Sequence, residues 1–313
     1  MAALISSAVS AQSPNYSYLY RITNFQSYVL PGGDATTSDR YFTSTGFEGI
    51  SFTMNTTNIS HFKNGQLRFP AYGSNPARTF NWTDAIPADL GGTDNQPWDP
   101  DRPDLGTPYS GESNTPKTAT LQEVFESGIV NRLMDGEPKV ANAYLDLYFG
   151  NGAYVQSDGN PRTPELVLLE RGGNSAVYVR AIRSNGTYSN TLAVNIRSGT
   201  GSSYDPVTGQ LIPRVGGSAG FSVDTMEIGT AEAVYGTGID LMAFGDVSTT
   251  DRIIGYQIWF ETNKFCYGPD LHGFILSKRP TQAPEASSLL AMGTFVMGGL
   301  TAIRLRRPRR TRR

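Results

Sequence analysis

The chain has 313 residues, 38% hydrophobic and 17% charged, with 34 glycines, 19 prolines and one cysteine, Cys266. This apolar content excludes a chain that is disordered throughout, the absence of a glycine at every third position excludes a collagen-like one, and a single cysteine excludes a domain stapled by disulfides. The net charge of −2 averages two unlike parts: residues 281–313 hold seven arginines against one acid, Glu285, a balance of +6, which leaves −8 on the remainder and excludes nucleic acid as its partner.

Residues 1–11 are small and apolar and end Val9-Ser10-Ala11, the pattern of a secretory cleavage site. They are expected to be a signal-peptide remnant, with a body domain over 12–280. Period-two alternation predicts strands at Val177–Ile182, Leu192–Ile196 and Phe221–Val223, and Ser17–Ile22, Ile50–Met54, Tyr144–Phe149, Leu166–Leu169, Ile253–Phe260 and Phe274–Leu276 are further strand candidates. Turn clusters separate them, as at Gly150-Asn151-Gly152, Asp158-Gly159-Asn160-Pro161 and Gly172-Gly173-Asn174. One helix is expected, opened by a Thr120/Glu123 capping box, striped by Leu121, Val124, Phe125, Ile129 and Leu133, and closed before Gly136. Its stripe is read as packing on a sheet. Residues 75–112 and 199–217, rich in Pro, Gly, Asp and Ser, are expected to be long loops. Many short strands with one short helix predict a mainly all-β fold, a β-sandwich or jelly-roll-like body.

Few residues in the body suggest chemistry. His61 and His272 stand alone, so a three-histidine metal site cannot form within the chain, and no G-x-x-x-x-G-K loop is present. Gly216-Gly217-Ser218-Ala219-Gly220 matches the G-x-S-x-G nucleophile elbow. The order Ser218, then Asp240, Asp246 or Asp251, then His272 fits a hydrolase triad. The glycine-rich stretch before it and the strand-like stretch after it argue against that reading. Glu165 and Glu170 are a nominal carboxylate pair of the kind a glycosidase needs. No cofactor is expected; calcium is the one candidate ion, on the loop acids Asp94, Asp99, Asp101 and Asp104, which lack EF-hand spacing. Trp82 and Trp98, in or beside the same polar stretch, are candidates for stacking on sugars, whereas Trp259 within its apolar run is expected in the core. Cys266 is read as a buried thiol. Asn-x-Ser/Thr at Asn15, Asn55, Asn58, Asn81 and Asn185 is read as ordinary polar surface.

The last elements are the most informative. A linker over 281–285 ends in Pro284-Glu285, with Ala286 next. Residues 286–303 (ASSLLAMGTFVMGGLTAI) are 18 residues without a charge, at the lower edge of the ~17–25 needed to span a bilayer. Then come Arg304, Arg306, Arg307, Arg309, Arg310, Arg312 and Arg313. Arginines beside a span stay cytoplasmic, so a C-terminal transmembrane helix over 286–303 and a basic cytoplasmic tail over 304–313 are predicted, with the body on the outer side.

This succession resembles a PEP-CTERM sorting signal, with Ala286 where the third residue is usually Pro. Residues 121–138, 165–182, 221–241 and 267–276 are similar, in the same order, to segments of exosortase-dependent surface proteins. The resemblance makes the C-terminal transmembrane helix a sorting helix, and it implies an exosortase as processing partner and a precursor held in the membrane through that helix. It further implies a body released to the cell surface or medium, with surface polysaccharide as an attachment partner. It implies no catalytic residues. The expected role is structural or adhesive, in surface matrix or biofilm. The alternatives are an extracellular carbohydrate- or calcium-binding module, a secreted hydrolase, and a permanently anchored protein.

Overall fold

The computed structural model describes residues 12–71, 76–87, 98–101, 118–136, 143–224, 230–261, 265–266 and 268–276. In chain order the first strands are β1 (Leu19–Val29), β2 (Arg40–Phe47), β3 (Ile50–Asn55), β4 (Ile59–Ser60), β5 (Asn64–Phe69), β6 (Arg78–Asn81), β7 (Ile86–Pro87), β8 (Trp98–Asp101) and β9 (Thr118–Ala119). The helix α1 (Leu121–Phe125) follows, then β10 (Leu133–Gly136), β11 (Tyr144–Tyr148), β12 (Leu166–Arg171), β13 (Ala176–Arg183) and β14 (Leu192–Asn195). The remainder are β15 (Ser202–Tyr204), β16 (Leu211–Pro213), β17 (Gly217–Val223), β18 (Glu232–Ile239), β19 (Ile253–Trp259) and β20 (Leu271–Leu276).

They form a mainly β architecture of two antiparallel sheets. The larger has ten strands along the path β3-β2-β1-β18-β12-β20-β10-β8, with β17 also on β18 and β4 also on β20. The smaller has six, in the order β14-β13-β19-β11-β5-β6. The two sheets face each other across one apolar core. Leu166, Leu168, Ile239 and Ile275 meet Leu67, Leu145, Leu147, Val179 and Ile258 there. A second core lies on the opposite face of the larger sheet, where Val167, Leu169, Phe274 and Leu276 pack with Ile22, Phe42 and Phe47. The unbroken apolar run of β12 follows from this: with a core on each face, every residue from Leu166 to Arg171 is buried.

β1 connects the two arrangements. Its first residues pair with β18 (Leu19↔Ile239, Arg21↔Thr237), and from Ile22 onward it pairs with β2. β17 takes the vacated edge of β18, beginning at Gly217↔Gly236. The exchange depends on glycine, because a Cβ at Gly217 would lie 2.0 Å from the Ile22 carbonyl oxygen.

Several expectations are corrected. The helix ends at Phe125 rather than running toward Leu133, and its capping box is formed, with Thr120 Oγ1 accepting from the Glu123 N–H at 3.1 Å and Glu123 Oε2 accepting from the Thr120 N–H at 2.8 Å. Beyond it the weak helix formers Ser127 and Gly128 let the chain extend. Gly128 and Val130 then bond to Phe42 and Arg40 (3.0 and 2.9 Å), and Ile129 bridges Tyr41, which satisfies backbone groups a longer helix would have used internally. The expected loop over 199–217 contains the β15–β16 hairpin, and that over 75–112 contains β6, β7 and β8. Residues 16–18 form a 3-10 turn, capped by Asn15, rather than the start of a strand.

Candidate binding face

On the six-stranded sheet, alternation places Leu145, Leu147, Tyr256 and Ile258 inward and Tyr144, Asp146, Tyr148, Gln257 and Trp259 outward. Register then lines up Gln66, Asp146, Gln257 and Arg180 across β5, β11, β19 and β13. Asp146, Gln257 and Arg180 are hydrogen-bonded in series. Arg68, one pleat along β5, donates from Nε to Asp146 Oδ2 at 2.8 Å, and its Nη2 lies 2.6 Å from the same oxygen. Gln257 donates from Nε2 to Asp146 Oδ1 at 2.7 Å. Arg180 donates from Nη2 to Gln257 Oε1 at 2.7 Å. Only one orientation of the Gln257 amide meets a carboxylate with its nitrogen and a guanidinium with its oxygen, so each partner fixes the next. Beside them, Gln66 donates to Asn81 Oδ1 at 3.1 Å.

Aromatic rings lie among these groups. The Arg180 guanidinium carbon stands 4.6 Å from the Trp259 ring centroid and 4.8 Å from that of Tyr188. Arg68 stands 5.7 Å from the Tyr144 ring, which is 5.8 Å from Trp259. Burial pushes the Tyr148 hydroxyl upward in pKa, and the charge of Asp146 adds to the shift. Asp146, Gln257 and Trp259 are buried in the floor, whereas Tyr188 and the Arg68 side chain are 38% and 42% exposed. One end of this face is covered: Tyr178 donates to the buried Asp205 at 2.6 Å, and Asp205 also accepts from Val207 N–H and Thr208 Oγ1 in the loop of the β15–β16 hairpin. What remains open is a rigid polar surface with ring walls. Sequence reading missed it; the available signal was Tyr144-Asp146-Tyr148, an outward set that is polar and aromatic at once.

The residues singled out from sequence are placed differently. Trp82 is buried, and its ring lies 3.2 Å from where a Gly65 Cβ would sit, so it packs in the core and is not displayed to a sugar. The backbones of Trp98, Asp99 and Asp101 belong to β8, with Asp99 opposite Asp135 in β10. Asp94 and Asp104 lie outside the described residues, as do residues 1–11 and the whole of 277–313 with Pro284, Glu285, Ala286 and the arginine tail. Among the described residues no group of three His, Cys, Asp or Glu could hold a metal ion, and no helix is long and apolar enough to cross a membrane.

Ser218 and His272 are not brought together. Ser218 pairs with Tyr235, which pairs with Glu170, which pairs with Leu271, so His272 is three strands away, about 14 Å, and on the opposite face. The exposed Ser218 lies within strand β17, with no elbow. Glu165 and Glu170 are five extended residues apart, about 16 Å, against the ~5–10 Å that glycoside hydrolysis requires. Glu165 accepts from the Leu241 N–H at 2.8 Å and so caps the first residue of a 3-10 turn. Trp259 and Cys266 are buried, as expected, and burial pushes the Cys266 thiol up to about 12.

Two buried polar groups stand out in the larger sheet. Arg171 is 1% exposed, donates from Nε to Asp270 Oδ2 at 2.8 Å, and lies 3.5 Å from Asp135. Burial, reinforced by the Asp135 charge, holds Asp270 well above the carboxylate range, and burial does the same to the neighbouring Glu170. The second is the histidine pair. Ser60 is opposite Ile275, so the next residue, His61, falls beside His272 on one face. Burial lowers His61 to about 4, with Lys63 adding to the shift, and lowers His272 to about 3, with His61 adding. The His272 ring stacks on Phe125 at 5.8 Å and its Nδ1 meets the Arg132 carbonyl at 2.9 Å. Such a histidine is neutral and structural at physiological pH.

No protein-family model, no curated protein and no solved structure matches this chain. The two-sheet geometry defines a mainly β protein with a polar, aromatic outer face.

Proposed function

We propose that this is an exported surface protein whose C-terminal segment is a sorting signal for an exosortase. Its β body is retained outside the cell as a structural or adhesive component of the surface matrix. The carrying observation is the succession Pro284-Glu285-Ala286, eighteen uncharged residues over 286–303, and seven arginines over 304–313. The arginines hold the tail on the cytoplasmic side, and the apolar stretch presents the Pro284-Glu285 step to a membrane transpeptidase on the other. The role proposed is binding rather than catalysis. Two features support it: the serine, histidine and glutamates that suggested hydrolysis are dispersed over strands and faces, and the open face of the six-stranded sheet carries hydrogen-bonding groups and rings.

The test is the intact mass of the protein recovered from the native cell surface and medium. A species ending near residues 283–286 is expected. A full-length species confined to the membrane would replace sorting with permanent anchoring.

A further inference from the structure

The row on the outer face of the six-stranded sheet is unbalanced in charge. Asp146 is used by Arg68 on one side and Gln257 on the other. Arg180 has no carboxylate within ion-pairing distance among the described residues; its one hydrogen-bond partner there is the neutral oxygen of Gln257, and its buried Nε has no partner. Yet Arg180 is held firmly, its guanidinium between the rings of Trp259 and Tyr188 at 4.6 and 4.8 Å. A cation fixed by two rings and one amide, with its Nη1 donors left over, is prepared for an anion from outside the chain, and the Nη1/Nη2 edge of a planar guanidinium matches a carboxylate best.

The surroundings narrow the ligand. The half-buried Tyr144 and Tyr148 and the exposed Tyr188 offer ring faces to flat C–H surfaces, and the exposed Asn64, Gln66 and Asn81 offer amides to hydroxyls. From Arg180 to Gln66 the row crosses three strand spacings, about 14 Å, an extended track rather than a small pocket. Carboxylate, hydroxyls and flat C–H faces repeated along an extended chain describe a uronic acid polymer.

We propose that this face binds an acidic polysaccharide, with Arg180 receiving a uronate carboxylate and Tyr148 and Tyr188 flanking the sugar rings. The inference rests on the adhesive reading above and gives it a ligand class.

The test titrates the full chain with oligo-alginate, and with dextran as the neutral control, by calorimetry. Saturable binding to oligo-alginate that weakens with salt is expected, with none to dextran. Arg180→Gln should lower affinity about ten-fold or more, and Tyr188→Ala should lower it independently, each with an unchanged melting transition. Arg162→Gln, on the connection between β11 and β12, should bind as the parent does. Failure to bind oligo-alginate, equal binding to dextran, or parental affinity in both Arg180→Gln and Tyr188→Ala would overturn the proposal. If Arg180→Gln does not fold, Tyr188→Ala alone decides. An unprocessed tail with uronate binding removes the sorting reading and leaves this one; a processed tail without uronate binding does the reverse.

Discussion

His61 and His272, the only histidines in the chain, show how one residue type takes its properties from register. Far apart in sequence, they become neighbours because β4 adds to the end of β20, and burial leaves both unable to accept a proton in the physiological range. Their folded pKa values, about 4 and about 3, lie below the ~6.5 of an unfolded histidine. Above pH ~6.5 neither state is protonated and the full stability is present. As pH falls toward 4, the unfolded chain takes up protons that the native pocket refuses, so stability drops by up to about 1.4 kcal/mol per pH unit for each histidine. The raised carboxyls Glu170 and Asp270 act with the opposite sign, losing stability as pH rises, so the comparison has to be made between variants. His61→Gln should lose less stability than the parent between pH 6.5 and 4.5, by about 1.4 kcal/mol per unit, in urea melts at a series of pH values. Equal slopes would show that His61 titrates normally in the native state. The Asn-x-Ser/Thr matches have a similarly local cause. At Asn15, Asn55 and Asn185 the side-chain oxygen accepts the N–H of the residue two further on, at 3.1, 3.1 and 3.0 Å, the geometry of an Asx-turn.

At the scale of elements, the G-x-S-x-G match has a backbone explanation. A Cβ at Gly216 would lie 2.0 Å from the Ile196 carbonyl oxygen, and one at Gly217 equally close to that of Ile22. These glycines let β17 pass between β14 and β1. Gly217→Ala should therefore destabilise by about 3 kcal/mol or more, whereas Ser218→Ala, on the exposed side, should stay within about 0.5 kcal/mol, both read from denaturant midpoints. Equal small effects would mean the strands part easily at this crossing. The same distinction between local and long-range causes explains what could be read beforehand. Alternation located β13 and β14, short apolar-rich runs between turn signals located β11, β12 and β19, and the Gly150-Asn151-Gly152 turn is real, with positive φ at all three residues (76°, 49° and 68°). Periodicity failed after Phe125, where Ile129 and Leu133 kept helical spacing but were captured by β2 and β8. The β15–β16 hairpin was hidden because its strands carry little apolar alternation and are fixed by Asp205 on Tyr178, a contact between residues 27 apart. The binding face was hidden because its order is across strands: Arg68, Asp146, Gln257 and Arg180 are dispersed in sequence and meet only through the pairing of four strands.

At the scale of the whole molecule, the question is whether two cores mean two cooperative units. β12 supplies both: Leu168 faces the core between the sheets, and Leu169, its neighbour, faces the core under β1 and β2. Both are fully buried, and the backbone that carries one carries the other. Its neighbours β18 and β20 hold it along its length, at Leu166↔Ile239 through Arg171↔Val234 and Leu166↔Ile275 through Glu170↔Leu271. Neither core can lose its packing while this strand stays in place for the other, because loosening it breaks two ladders at once. Leu168→Ala and Leu169→Ala should each cost about 2–5 kcal/mol. Each should shift one shared unfolding transition, coincident by tryptophan fluorescence and far-ultraviolet circular dichroism. Two independent units would behave otherwise: Leu169→Ala would lower a transition in which Trp82, in the inter-sheet core, and Trp259, on the outer face of the six-stranded sheet, take no part, and the two probes would separate. Coincidence in both variants would establish that the sheet bearing the binding face and the sheet beneath β1 and β2 unfold together. Arg180 would then be held in place by the stability of the entire body rather than by its own sheet alone.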